Sequence, residues 1–145
     1  MGSQTPQPQS FKILPASEED FLTLAQVESI CNDTATGTPI EANISRIMFG
    51  PPNPENHKFR AEGLVTNLSK DPTAKNYKAV VEEDGKEKIV AWASWNFYPE
   101  VTPIKDWANL DWPATANGEA CNDIIGRMTA MRQKYMSGRK YACKW

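Results

Sequence analysis

Few side chains in this sequence are equipped for covalent or acid–base chemistry. The cysteines are Cys31, Cys121 and Cys143. They form no C-x-x-C pair, which excludes a zinc ribbon and a thioredoxin-type site. Their odd number and wide spacing read as free thiols in a reducing compartment. His57 is the single histidine, so a His-rich metal site cannot be built and no metal is expected. It follows a proline-rich stretch and reads as a solvated loop side chain. The acidic run Glu82-Glu83-Asp84 precedes Gly85 and reads as a turn, not as a glycosidase carboxylate pair. No nucleophile elbow, phosphate-binding loop or dinucleotide fingerprint is present. The Asn-x-Ser/Thr sites at Asn32, Asn43 and Asn67 would matter only in a secreted protein. Aromatic side chains are left as the means of recognition. There are five tryptophans, and Trp95, Trp107 and Trp112 could line an apolar pocket.

The elements that must position these residues are legible in the hydrophobic pattern. Phe11 to Leu14 alternates and predicts a first strand. Ser17 followed by Glu18, Glu19 and Asp20 predicts a helix start, with a capping-box-like spacing to Asp20. Phe21, Leu24, Val27 and Cys31 continue it at helical spacing, and Leu22, Ala25 and Ile30 widen the stripe. Residues 32–39 read as loop. Ile44, Ile47 and Met48 predict a second helix within residues 40–49, ended by Gly50-Pro51. A further helix is predicted over 57–69, with Phe59, Leu64 and Leu68 on its apolar side.

Tyr77 to Val81 and Ile89 to Tyr98 predict a hairpin around Asp84-Gly85. In the second strand, Ile89, Ala91, Ala93, Trp95 and Phe97 fall on one face. Val90, Trp92, Ser94, Asn96 and Tyr98 fall on the other. Apolar bulk on both predicts a central strand covered on both sides. Residues 115–136 predict a helix whose stripe is Ile124, Ile125, Met128, Met131 and Tyr135, ended by Ser137-Gly138. Tyr141 begins a last strand. The predicted order is β-α-α-(α)-β-β-α-β, an α+β fold with a small, mainly antiparallel sheet.

The chain has 145 residues, a length that suits one domain. Residues 1–10 read as a disordered leader and 11–145 as a single domain. The leader has no apolar core of the signal-peptide kind, and no apolar run approaches the length of a membrane helix, so a cytoplasmic protein without membrane contact is expected. Residues 124–145 carry six basic side chains and no acid, while the rest carries a net −8. This reads as a solvated helix end complementing the helix dipole, and no nucleic-acid partner is expected.

The segments FKILPASEEDFLTLAQVE, IMFGPP, YKAVVEEDGKEKIVAWASWNFY and MRQKYMSGRKYACKW, in this order, resemble the N-terminal half of fungal-type GNAT N-acetyltransferases. The resemblance covers residues 11–145. It implies acetyl transfer from acetyl-CoA to an amine, and an acceptor pocket shaped near residues 40–49 and the central strand. Phe49, Trp95 and Phe97 are the substrate-binding positions it implies. The family's signature is a Q/R-x-x-G-x-G/A loop that cradles the acetyl-CoA pyrophosphate with backbone N–H groups. That pattern does not occur here, because no two of the eight glycines stand two apart. The expectation is therefore a truncated domain, inactive alone, with no catalytic residue to assign. An unpaired sheet edge at Tyr141–Trp145 predicts a homo-oligomer or strand exchange. The alternative reading is a small α+β module that binds a ligand or a protein and is completed by dimerisation.

Overall fold

The computed structural model of the chain describes residues 10–33, 43–106 and 108–144. Nearly all of the expected leader, most of the expected loop over 32–39, Trp107 and Trp145 lie outside the described residues. Strand β1 (Lys12–Pro15) leads through a single 3-10 turn at Glu18–Asp20 into helix α1 (Phe21–Asp33). Helices α2 (Ile44–Phe49) and α3 (Pro54–Lys70) follow. Strands β2 (Ala74–Glu83) and β3 (Lys86–Tyr98), helix α4 (Gly118–Met136) and strand β4 (Tyr141–Lys144) complete the order. The four strands form one antiparallel sheet in the order β1-β2-β3-β4. The fold is mixed α+β, as the pattern predicts.

Local chemistry explains the boundaries. The Asp20 carboxylate accepts from the Ser17 N–H at 2.8 Å and the Ser17 hydroxyl at 3.1 Å, which fixes the entry to α1. The same group accepts from Lys78 of β2 at 2.6 Å, tying the helix start to the sheet. Burial alone would raise the Asp20 carboxyl, but the bonds from Lys78 and Ser17 outweigh it and hold the group below its ordinary range. α3 begins earlier than the pattern predicts, because Asn53 caps it at Asn56 N–H (2.8 Å) and Pro54 occupies the first turn, where no N–H is needed. His57 therefore sits in the first turns of a helix, not in a loop. Asp84 and Gly85 at the hairpin tip both have positive φ, 53° and 73°, as a type I′ turn requires.

Helices α1 and α3 cover one face of the sheet. Phe21, Leu24 and Leu64 are the buried centre, with Ala61, Val65, Leu68, Ile89 and Trp92 packed around them. Each such large side chain stabilises the fold by roughly 1.5–3 kcal/mol relative to exposure. Four expectations are corrected. The stripe on α1 is narrower than its spacing suggests, for Leu22, Ile30 and Cys31 are exposed. The stripe on α4 faces largely outward: Met128, Met131 and Tyr135 are more than half exposed, and Cys121 and Thr129 are the residues buried. β3 is central between β2 and β4, but among the described residues only one of its faces is covered. A register shift pairs Val80 with Ile89 and Ala79 with Ala91, which brings Ile89 to the helix side and leaves Val90 as the bulged residue.

Candidate functional site

Alternation along β3 sets out two surfaces of different character. Trp92, Ser94 and Asn96 point toward the helices. Ala91, Ala93, Trp95 and Phe97 point away from them, where Trp95 (36%), Phe97 (45%) and Tyr77 (38%) stay exposed. The Trp95 and Phe97 rings lie 6.2 Å apart at 25°. Lys75 of β2 and Lys144 of β4 both stand opposite Trp95 in the register. The result is an open aromatic row across the middle of the sheet, contiguous at Trp95 and Phe97.

Phe49 is not part of that row. It ends α2, with its ring centroid 5.9 Å from Trp112, and Phe59 of α3 packs on the same indole at 5.3 Å. The Trp112 indole N–H donates to the Asn122 side chain at 2.9 Å, which pins the long loop after β3 to α4. Of the three positions implied by the resemblance, the fold thus brings Trp95 and Phe97 together and places Phe49 in a separate aromatic cluster. Trp95 and Trp112 likewise do not share a pocket. The cleft beside Trp112, about 310 Å³, is lined by Glu55, Lys58, Phe59, Glu62, Asp111 and Pro113.

On the helix side the sheet carries a polar network that the sequence reading missed. Asp71, just after α3, accepts from the Asn96 amide at 2.9 Å and the Tyr98 hydroxyl at 3.0 Å with one oxygen. Its other oxygen accepts from the Thr73 N–H at 2.9 Å and the Thr73 hydroxyl at 2.6 Å. Burial would raise the Asp71 carboxyl, but the bonds from Thr73, Tyr98 and Asn96 hold it below its ordinary range. Burial, and then the bond to Asp71, push the Tyr98 hydroxyl up to about 12. Asn96 continues into a buried row with Ser94 and its cross-strand partner Asn76. Asn76 Nδ2 and Oδ1, Ser94 Oγ and Asn96 Oδ1 have no protein partner among the described residues. The signal for this row was Ser94 and Asn96 at alternate positions of an otherwise apolar strand.

A second cleft, about 320 Å³, lies where the C-terminal half of α1 passes the free edge of β3. Val27, Glu28, Cys31, Asn32, Ala91, Trp92 and Ala93 line it. The Arg60 guanidinium stacks 5.3 Å from the Trp92 ring centre and bonds Glu28 through Nε at 2.8 Å.

None of these arrangements is a nucleophile with its base. Burial pushes the Cys121 and Cys143 thiols up, which disfavours the reactive thiolate. Among the described residues no group of three or more His, Cys, Asp or Glu side chains is placed to hold a metal ion. No described helix is long and apolar enough to cross a membrane. No family model, no curated protein and no solved structure matches the chain.

Proposed function

We propose that this chain is the acceptor-side half of a GNAT-type N-acetyltransferase fold, competent for transfer from acetyl-CoA to an amine only when a further polypeptide completes it. The observation that carries this reading is the element order: a strand and helices lead into an antiparallel β1-β2-β3-β4 sheet whose central strand holds the IVAWASWNFY segment. Trp95 and Phe97 would then belong to the acceptor side, while Phe49 stands apart in the cluster around Trp112. The cofactor would be held by groups outside this sequence, since the sequence contains no Q/R-x-x-G-x-G/A segment. Three free cysteines suit action in the cytoplasm.

The test is a thermal shift measured with acetyl-CoA at millimolar concentration. No shift is expected for the chain alone, because a ligand stabilises only a fold that binds it. A reproducible upward shift would overturn the view that a further polypeptide is needed. The exposed aromatic row favours a second reading, a protein-binding module completed by its own dimer. Light scattering at micromolar concentration separates the two, for a dimer is expected under the second and a monomer counts against it.

A further inference from the structure

The row of Asn76, Ser94 and Asn96 leaves a hydrogen-bond account open. These side chains belong to residues only 6%, 0% and 1% exposed. Asn76 Nδ2 and Oδ1, Ser94 Oγ and Asn96 Oδ1 have no protein partner among the described residues. The Asn96 amide nitrogen is committed to Asp71 at 2.9 Å, so its Oδ1 is left for another donor. Native interiors leave few polar atoms unmatched, and ordered water matches those that protein cannot.

The register places these atoms close together. Asn76 and Ser94 stand opposite each other on β2 and β3. The Asn76 carbonyl faces β1, where it accepts from the Ala16 N–H at 2.9 Å. Its pair with Ser94 is therefore the kind without backbone bonds between the two partners, in which facing side chains stand closest. Cβ atoms of such partners lie about 4.5–5.5 Å apart. Yet the Ser94 hydroxyl and the Asn76 amide make no direct bond. A single water spans about 5.5 Å between two polar atoms, twice the length of one O–H···O bond. Asn96 follows two residues after Ser94 and faces the same way.

We propose that an internal water molecule is a fixed part of this fold, bound between β2 and β3 by Asn76, Ser94 and Asn96. It accepts from Asn76 Nδ2 and donates to Asn96 Oδ1 and Ser94 Oγ. Three bonds are the usual complement of a buried water. The Ser94 proton is then left to face Asn76 Oδ1 across the strand pair. Neither cleft described above is lined by these residues. The chemistry calls for a small molecule that both donates and accepts, and water is the one always present. Through it, one hydrogen-bonded chain runs from Asn76 by way of Asn96 and Asp71 to Tyr98.

The test joins a high-resolution crystal structure of the full chain to water–amide cross-relaxation in solution. Density for a water within about 3.2 Å of at least three of the four atoms is expected. The Asn76 side-chain amide protons should show a water cross-peak with the sign of a long-lived complex. The peak should persist in Ser94→Ala, where no hydroxyl proton can relay exchange. Where that variant does not fold by circular dichroism, the wild-type density and cross-peak decide alone. An empty gap in the density, a direct Ser94–Asn76 bond in its place, no wild-type cross-peak, or its loss in folded Ser94→Ala overturns the inference.

Discussion

Replacing Asp71 with alanine should destabilise the fold by about 2–4 kcal/mol, and the magnitude follows from which donors are stranded. The carboxylate accepts four hydrogen bonds, two from Thr73, one from Asn96 and one from Tyr98. The Thr73 groups lie in a turn where water can replace the carboxylate, so their loss is small. Asn96 is 1% exposed, and its amide keeps only a long contact of 3.3 Å to the Thr73 hydroxyl. A buried donor left without its partner costs about 1–3 kcal/mol. The half-buried Tyr98 hydroxyl adds about 1 kcal/mol. Taking a urea m value near 2 kcal/mol/M, the midpoint should fall by about 1–2 M with m unchanged.

Two controls make the reasoning refutable. Asn96→Ala removes the stranded donor, so Asp71→Ala should be less damaging in that background, with a coupling of about 1 kcal/mol or more. The pH dependence gives the second. The Asp71 carboxyl titrates below its ordinary value of 3.8 in the folded state. Its contribution is therefore present above that value and is lost as pH falls through the lower folded value. Wild-type stability should decline on acidification more steeply than that of Asp71→Ala. A loss under about 0.5 kcal/mol, additive with Asn96→Ala, would show that the bonds to Asp71 are replaced by water without cost.

Four further outcomes are expected. Tyr98 is raised to about 12, so its contribution is complete below pH 10 and is lost as pH rises through 12; ultraviolet titration should show Tyr98 ionising late, and earlier in Asp71→Asn. Trp95→Ala with Phe97→Ala should cost little in urea unfolding but should reduce dye binding to apolar surface and any self-association seen by light scattering, since both rings are already exposed. Leu24→Ala, at a site with no exposure, should cost about 2–5 kcal/mol in the same unfolding assay. A thiol reagent should label exposed Cys31 first and buried Cys121 only on unfolding, as mass spectrometry of timed digests can establish.

The elements themselves were largely written in the sequence. Ser17 with Asp20, the Asp84-Gly85 turn and the stop at Gly50-Pro51 are local signals, and each stands where its chemistry placed it. What failed were inferences that local periodicity cannot make. A heptad-like row such as Met128, Met131 and Tyr135 states that one side of a helix is apolar, not that anything lies against it. The same limit applies to Ile89, because the shift in register that turns it inward depends on its pairing with Val80.

The candidate sites divide along that line. Trp95 and Phe97 are two residues apart on one strand, so their meeting is a local fact and was legible. Phe49 and Trp112, or Asp71 and Asn96, meet only because the chain returns across the sheet. The two surfaces of β3 also fail differently when left incomplete. A buried polar row on the helix side is fixed by Asp71, and losing that partner strands a donor in the interior. The exposed row of Trp95 and Phe97 strands nothing, because water can meet its rings. The first surface is held from inside by a charged group, and the second keeps aromatic area in contact with solvent. That asymmetry, more than any single residue, makes the open side of β3 the surface on which binding is best tested.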